Sequence, residues 1–268
     1  MSGFSADWLA LREPFDLAVR NSRIEQRFIG FLGTQKPLRL LDLASGAGST
    51  VAALGPKLQS RASWTLVDND QNLLSVAAGR FNDGGPGTDA IESVCLDLAR
   101  ELDTLDFQAF DAVTTSAFLD LVTDGFLERL VKKVVASRKP FLASLSYDGR
   151  SWCEPADALD DVIRQAMNRH QQTDKGFGAA LGPYAWSRAA ELFRAAGYEV
   201  VTGSSDWDTG TGAGAFQKEL LSGWLQAASE MGVDALRLDS WKSRRWREMD
   251  TGQLRVSVGH QDLCACPV

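Results

Sequence analysis

The sequence predicts a doubly wound α/β domain on a mainly parallel, seven-stranded sheet. Three observations carry that prediction: five short apolar runs that read as buried strands, helical segments between them, and a glycine turn directly after the first run. With 268 residues, 44% of them hydrophobic, the chain is long enough to bury such a core as one domain.

The elements follow in order. Residues 1–33 place Trp8, Leu11, Phe15, Ala18, Phe28 and Leu32 at mostly helical spacing, interrupted by Pro14, which predicts one or two amphipathic helices ending at Gly33. Residues 34–147 then alternate. "LRLLDLA" is followed by helical "STVAALGPKLQS", "SWTLVD" by helical "NLLSVAAGRF", and "IESVCLDL" comes after the loop "NDGGPG". "FDAVTTS" precedes the helix "DGFLERLVKKVVASR", which Asp124 is placed to cap, and "PFLASLSY" is the fifth strand. Residues 148–183 break the rhythm and read as an insertion. Residues 184–268 supply the helix "WSRAAELFRAA" closed by Gly197, the strand "YEVVTGSSDW", two further helices and the last strand "LRVSVGHQDLCACPV".

The formal charge of −7 argues against non-specific binding to nucleic-acid backbones or anionic membranes, both of which need a basic field. No apolar run approaches the ~18 residues of a membrane helix, and "MSGFSADWLALREPFD" lacks the features of a signal peptide. The expected location is the cytoplasm. Cys95, Cys153, Cys264 and Cys266 form no CxxC pair and read as reduced structural thiols, and no metal site is expected.

The glycine turn, "DLASGAGS" from Asp42 to Ser49, fails the dinucleotide fingerprint, because Val51 stands where G-x-G-x-x-G requires a small residue. A nicotinamide-dependent oxidoreductase is thereby the weaker alternative. From Leu40, "LLDLASGAG" resembles the first motif of class I S-adenosylmethionine-dependent methyltransferases: two apolar residues, an acid, an apolar residue, then G-x-G-x-G. Ala44 departs from it and is expected to keep a negative φ, while Gly46 and Gly48 supply backbone freedom. Asp68 ends the second strand where a carboxylate can accept both ribose hydroxyls of an adenosine cofactor. Asp97 and Leu98 resemble the family's adenine site, and the backbone around Thr115 and Ser116 resembles the segment that passes the methionine moiety. The resemblance, which covers residues 38–122, implies S-adenosylmethionine as cofactor, S-adenosylhomocysteine as product, and a cofactor set of Asp42, Ala44, Ser45, Gly46, Gly48, Asp68, Asn69, Asp97, Leu98, Thr115 and Ser116. It also implies that the N-terminal helices form a lid, with Phe4, Trp8 and Arg12 facing the site and Arg12 placed to meet the methionine carboxylate or an anionic acceptor. The plainer reading of Arg12, a surface residue of a packing helix, is preferred and leaves it out of the site.

Methyl transfer is an in-line displacement, so it needs an oriented acceptor and, for a protonated acceptor, a base. The insertion begins at the ligand edge of the sheet with Tyr147, Asp148 and Arg150 and ends in "HQQTDKGFG"; His170, Tyr147 and Asp174 are the candidate catalytic residues, with Lys175 and Phe177 beside them. The plainer reading has His170 closing its helix and Asp174 paired with Lys175. The expected acceptor is a small metabolite, methylated on O or N. A nucleic-acid acceptor rests on "WKSRRWRE", which equally reads as an amphipathic helix with Leu236, Leu238, Trp241 and Trp246 packed inward. A SAM-binding protein without catalysis is the remaining alternative. "LSYDGR" and "HQQTDKGFGAALGP" further resemble segments of a bacterial methyltransferase subgroup, a likeness that supplies no acceptor.

Overall fold

The computed structural model describes residues 5–34, 37–81 and 84–268, so that Phe4 lies outside the described residues. The chain opens with α1 (Ala6–Val19) and α2 (Ser22–Leu32), capped by Ser5 and Asn21, whose side chains accept the main-chain N–H groups of Trp8 and Ile24. α1 runs through Pro14. There follow β1 (Leu38–Leu43), α3 (Ser49–Leu54), β2 (Ala62–Asp68), α4 (Gln71–Phe81), β3 (Thr88–Cys95), α5 (Leu98–Glu101), β4 (Ala112–Ser116), α6 (Asp124–Ala136) and β5 (Phe141–Glu154). The remainder comprises α7 (Asp160–Gln171), α8 (Ala185–Ala195), β6 (Tyr198–Ser204), β7 (Trp207–Thr209), α9 (Gly214–Glu230), α10 (Ala235–Asp250) and β8 (Arg255–Pro267).

The strands form one sheet in the order β3-β2-β1-β4-β5-β8-β6, with β7 also pairing β8. β8 runs antiparallel to β5, β6 and β7, while β1 to β5 pair in parallel. The order reverses between β1 and β4, and crevices at the carboxyl ends of strands at such a switch point take ligands. Both sheet faces are covered. Leu41, Leu43, Val113 and Phe141 pack with Leu130 of α6 and Phe193 of α8, whereas Leu40, Leu66 and Leu142 pack with Ile24 and Phe28 of α2 and Leu74 of α4. A third cluster joins Tyr147, Trp207 and Val256 to Phe216, Trp224 and Trp241 of the last two helices.

Four expectations change. The sheet has eight strands instead of seven, because "YEVVTGSSDW" breaks where Ser205 turns inward and its hydroxyl donates to Asp262 Oδ1 at 2.6 Å. The fifth strand continues through Asp148 to Glu154, paired with β8 from Ser151↔Val258 to Glu154↔Arg255, so the predicted insertion begins as sheet. Thr123 caps α6 and leaves Asp124 to pair with Arg188. Leu236 is exposed, whereas Leu238 and Trp241 are buried. Among the described residues, no helix is long and apolar enough to cross a membrane.

Candidate active site

A cleft of about 750 Å³ opens at the carboxyl ends of β1, β2 and β4. Its floor is the first loop, with Ala44, Ser45, Gly46, Ala47 and Ser49; one end holds Asp68, Asn69, Asp70, Asp97 and Leu98; the other holds Ser116, Ala117, Phe118, Leu121, Lys175 and Phe177. α1 closes one wall with Leu9, Arg12, Glu13 and Asp16.

The loop is built tightly. Ala44 adopts φ +51° against the expected negative value, because the chain must turn left-handed as it leaves the buried carboxyl end of β1. At Gly48, which caps α3 at φ +83°, an added Cβ would lie 2.8 Å from the Phe81 ring. The glycine there is required by packing. Asp68 Oδ2 accepts the Gly46 N–H (2.8 Å) and Oδ1 accepts the Asp70 N–H (3.0 Å), which fixes the carboxylate at the cleft wall. Asp97 Oδ1 accepts the Ala99 N–H at 3.0 Å, so it caps α5 while lining the cleft.

Of the sequence-predicted cofactor residues, Ala44, Ser45, Gly46, Asp68, Asn69, Asp97, Leu98 and Ser116 line this cleft, and Asp42, Gly48 and Thr115 do not. Thr115 Oγ1 donates to Leu43 O (2.8 Å) between strands. Asp42 is fully buried and accepts from Thr114 Oγ1 at 2.7 Å; burial pushes its carboxyl up to about 6 against the opposing Thr114 hydrogen bond and the Arg20 charge. Arg20 itself, unnoticed in the sequence, is buried and donates through Nη2 to Ser116 Oγ at 3.1 Å. Its Nε and Nη1, together with Ser45 Oγ, are buried without a partner.

The three candidate catalytic residues do not converge. Tyr147 is buried behind the cleft, where its hydroxyl donates to Asn168 Oδ1 at 2.7 Å and burial pushes its phenol well up. His170 lies outside the lining: Lys175 Nζ donates to its Nδ1 (3.2 Å), which turns Nε2–H toward Glu230 Oε2 (2.8 Å). Asp174 reaches the cleft, but its Oδ1 accepts the N–H groups of Gly176 (2.7 Å) and Gly178 (2.9 Å), and these bonds hold its carboxyl below the usual range. It therefore holds the turn that presents Lys175, whose ammonium is lowered by desolvation.

Three buried polar residues at or near the cleft were not assigned to it from the sequence. Arg12, expected at the surface, is 8% exposed; it donates to Asp16 through Nε (2.9 Å) and Nη2 (3.3 Å), and lies over Trp207 at 4.9 Å. Its i,i+4 acidic partner was the available signal. Asp120 is 6% exposed between the apolar residues of "FLDL", with Oδ1 unpartnered. His260 is 5% exposed, lies 4.6 Å from the Trp207 ring, and is pushed down to about 3 by burial and the Arg12 charge. Trp241 of "WKSRRWRE" offers no stacking platform, since it is fully buried and donates to Asp160 Oδ1 (2.8 Å); Arg245 is buried against Asp160 and Glu248, and Trp246 is half-buried with Lys242 over its ring at 5.6 Å.

Comparison with known proteins bears on this cleft. Residues 40–140 match a family described as "Methyltransferase domain". No curated protein matches the chain. Among solved structures, the chain is similar to the YcgJ protein from Bacillus subtilis (16% identity, TM-score 0.53, covering 92% of this chain and 99% of that one). It is similar also to a SAM-dependent methyltransferase from Geobacter sulfurreducens in complex with S-adenosylhomocysteine (14%, TM-score 0.50, all of both chains) and to a cyclopropane-fatty-acyl-phospholipid synthase-like protein from Lactobacillus casei (14%, TM-score 0.54, 94% and 98%). The matched residues run from β1 to the residue before β5 and include the glycine loop, Asp68, Asp97 and Ser116, so over residues 40–140 the chain matches a methyltransferase domain, and it shares the fold of these solved structures.

Proposed function

We propose that the chain methylates an O or N atom of a small-molecule acceptor, with the cofactor held by Asp68, Asn69, Asp97 and Leu98 at the nucleoside end and by Ser45, Gly46, Ser116 and Arg20 at the methionine end. The observation that carries this reading is the two-ended cleft: acidic where ribose and adenine hydrogens need acceptors, and walled by α1 and the 174–178 turn where the acceptor must enter. The residues fit the cofactor. Arg20 Nε and Nη1 and Ser45 Oγ are buried donors without partners, which suits a carboxylate, and Asp68 has two fixed oxygens for a pair of hydroxyls. When bound, the cofactor supplies a methyl group made electrophilic by the sulfonium.

The protein's part is orientation and exclusion of water. Phe118, Leu121 and Phe177 give the acceptor end an apolar lining, and edge-to-face contacts from Phe177 to Phe118 (5.5 Å) and to Phe126 (4.7 Å) fix that wall. The net charge of −7 and the burial of Trp241 in α10 favour a small molecule over nucleic acid.

Calorimetric titration with S-adenosylhomocysteine, with NAD as control, tests the reading. Micromolar binding of S-adenosylhomocysteine with NAD silent is expected, and Asp68→Ala is expected to weaken it at least about tenfold. Unchanged affinity in that variant would remove Asp68 from the ribose site. Labelled-methyl transfer into a metabolite extract, against an RNA fraction, then identifies the acceptor class; label in RNA alone would overturn the small-molecule assignment.

A further inference from the structure

We propose that Asp120 is the catalytic base of this site, accepting the proton of an N–H or O–H nucleophile, and that the acceptor is accordingly an amine or hydroxyl compound. This rests on the methyltransferase reading above. Asp120 follows β4 by four residues, and its neighbours Phe118 and Leu121 line the acceptor end of the cleft. Asp120 is 94% buried next to these lining residues, without itself forming part of the cleft surface, and its Oδ1 has no hydrogen-bond partner. A buried carboxylate oxygen left without a donor is costly unless a ligand supplies one.

The other polar groups on this side are already engaged. Asp16 accepts from Arg12 and from Trp207 Nε1 (2.9 Å), Asp174 holds its turn, Tyr147 bonds Asn168, and His170 sits between Lys175 and Glu230. His260 Nδ1 is also unpartnered, but its ring faces Trp207 and Tyr147, and a nitrogen held near 3 is a poor base. The charged groups acting on Asp120 are Arg12 from α1 and Lys175 from the 174–178 turn, with the Tyr147 main chain facing it from β5. Burial outweighs them and raises the carboxyl to about 6, so it is ionised at neutral pH yet basic enough to take a proton. In the reaction the acceptor's lone pair forms the new C–N or C–O bond as the methyl–sulfur bond breaks. The bonding pair stays on sulfur, and the acceptor's proton passes to Asp120 Oδ1.

The test needs no identified acceptor. Sinefungin carries an amine on carbon in place of the methylated sulfur, and so presents an ammonium where the methyl would lie; S-adenosylhomocysteine presents nothing there. By calorimetry at pH 7.5 the wild-type protein is expected to bind sinefungin at least about tenfold more tightly than S-adenosylhomocysteine, the preference a charge-assisted hydrogen bond gives. In Asp120→Asn the preference is expected to fall to within about twofold, with S-adenosylhomocysteine affinity retained. The wild-type preference also fades as pH falls through about 6, and the variant's own pH series subtracts whatever the rest of the site contributes. A preference that survives in Asp120→Asn overturns the assignment. If that variant does not fold, a wild-type preference constant from pH 5 to 8 overturns it equally. Failure of the wild-type protein to bind S-adenosylhomocysteine would instead bring down the cofactor reading on which the proposal stands.

Discussion

Ala44, Ala117 and Leu145 take φ values of +51°, +50° and +56° at the carboxyl ends of β1 and β4 and within β5, the edge where the cleft opens. The left-handed region costs a residue with a Cβ about 1–2 kcal/mol, and strain of this kind gathers where a chain must hold a site open. At Leu145 the compensation is visible: its N–H donates to Asp262 Oδ1 at 2.7 Å, and the same buried carboxylate accepts from Ser205 Oγ and from the Asn21 N–H (2.8 Å). Ala44 has no such brace among its described bonds, so Ala44→Gly is expected to stabilise the protein by about 0.5–1 kcal/mol. A rise in the urea midpoint at unchanged m-value would show it, and a fall would mean that the alanine methyl contributes packing that outweighs the strain.

At the scale of elements, α1 is a cleft wall because an aromatic stack holds it. Phe216 of α9 lies against Phe15 (4.2 Å, 23°) and Trp8 (5.5 Å, 7°), with Trp207 edge-on at 5.1 Å. Phe216→Ala is expected to cost about 3 kcal/mol or more in urea unfolding, as large-to-small core changes do, and to weaken S-adenosylhomocysteine binding several-fold because Arg12 and Asp16 lose their backing. Stability loss with unchanged affinity would mean that α1 does not contribute to the bound state. This wall also shows where reading the sequence stops. The glycine loop and Asp68 were legible because a strand, a turn and a spacing of some twenty residues are local facts. Arg12 was misjudged because its burial is made by Trp207 and Asp16, and the Trp207–Asp16 bond joins positions 191 residues apart. His170 drew notice through rarity, whereas its neighbours Lys175 and Glu230 assign it to steadying a turn. The end of β5 was misplaced because its continuation depends on a partner strand more than a hundred residues later.

For the whole molecule, the buried titratable groups pull stability in opposite directions. His260, held near 3 against an ordinary 6.5, is neutral when folded, while the unfolded chain binds its proton; its contribution is present above about 6.5 and is lost as pH falls. Asp42 and Asp120, raised to about 6, keep their protons to higher pH in the folded chain than in the unfolded one, so their contribution is present at low pH and is lost as pH rises through 6. His260→Gln removes the first slope, and its stability relative to wild type is expected to improve by about 2 kcal/mol between pH 7 and pH 5. Urea unfolding at the two pH values checks it; a constant difference would mean that His260 takes up its proton in the fold as readily as in the unfolded chain. The layered α/β plan itself was legible, since alternating runs leave few topologies open.

The position of β8 between β5 and β6 has a consequence for biosynthesis. A ribosome delivers β6 before β8, yet β6 pairs with the rest of the sheet only through β8. Until the final strand emerges, β5 presents an open apolar edge and α8 and β6 have no lasting seat, while β1 to β5 can already pair as they appear. The nascent chain thus passes through a half-built sheet with an unpaired edge, the species that chaperones guard and that aggregates when they are overwhelmed. A substitution in β8 that slows its insertion would lower the yield of soluble protein before it altered the activity of the molecules that finish folding.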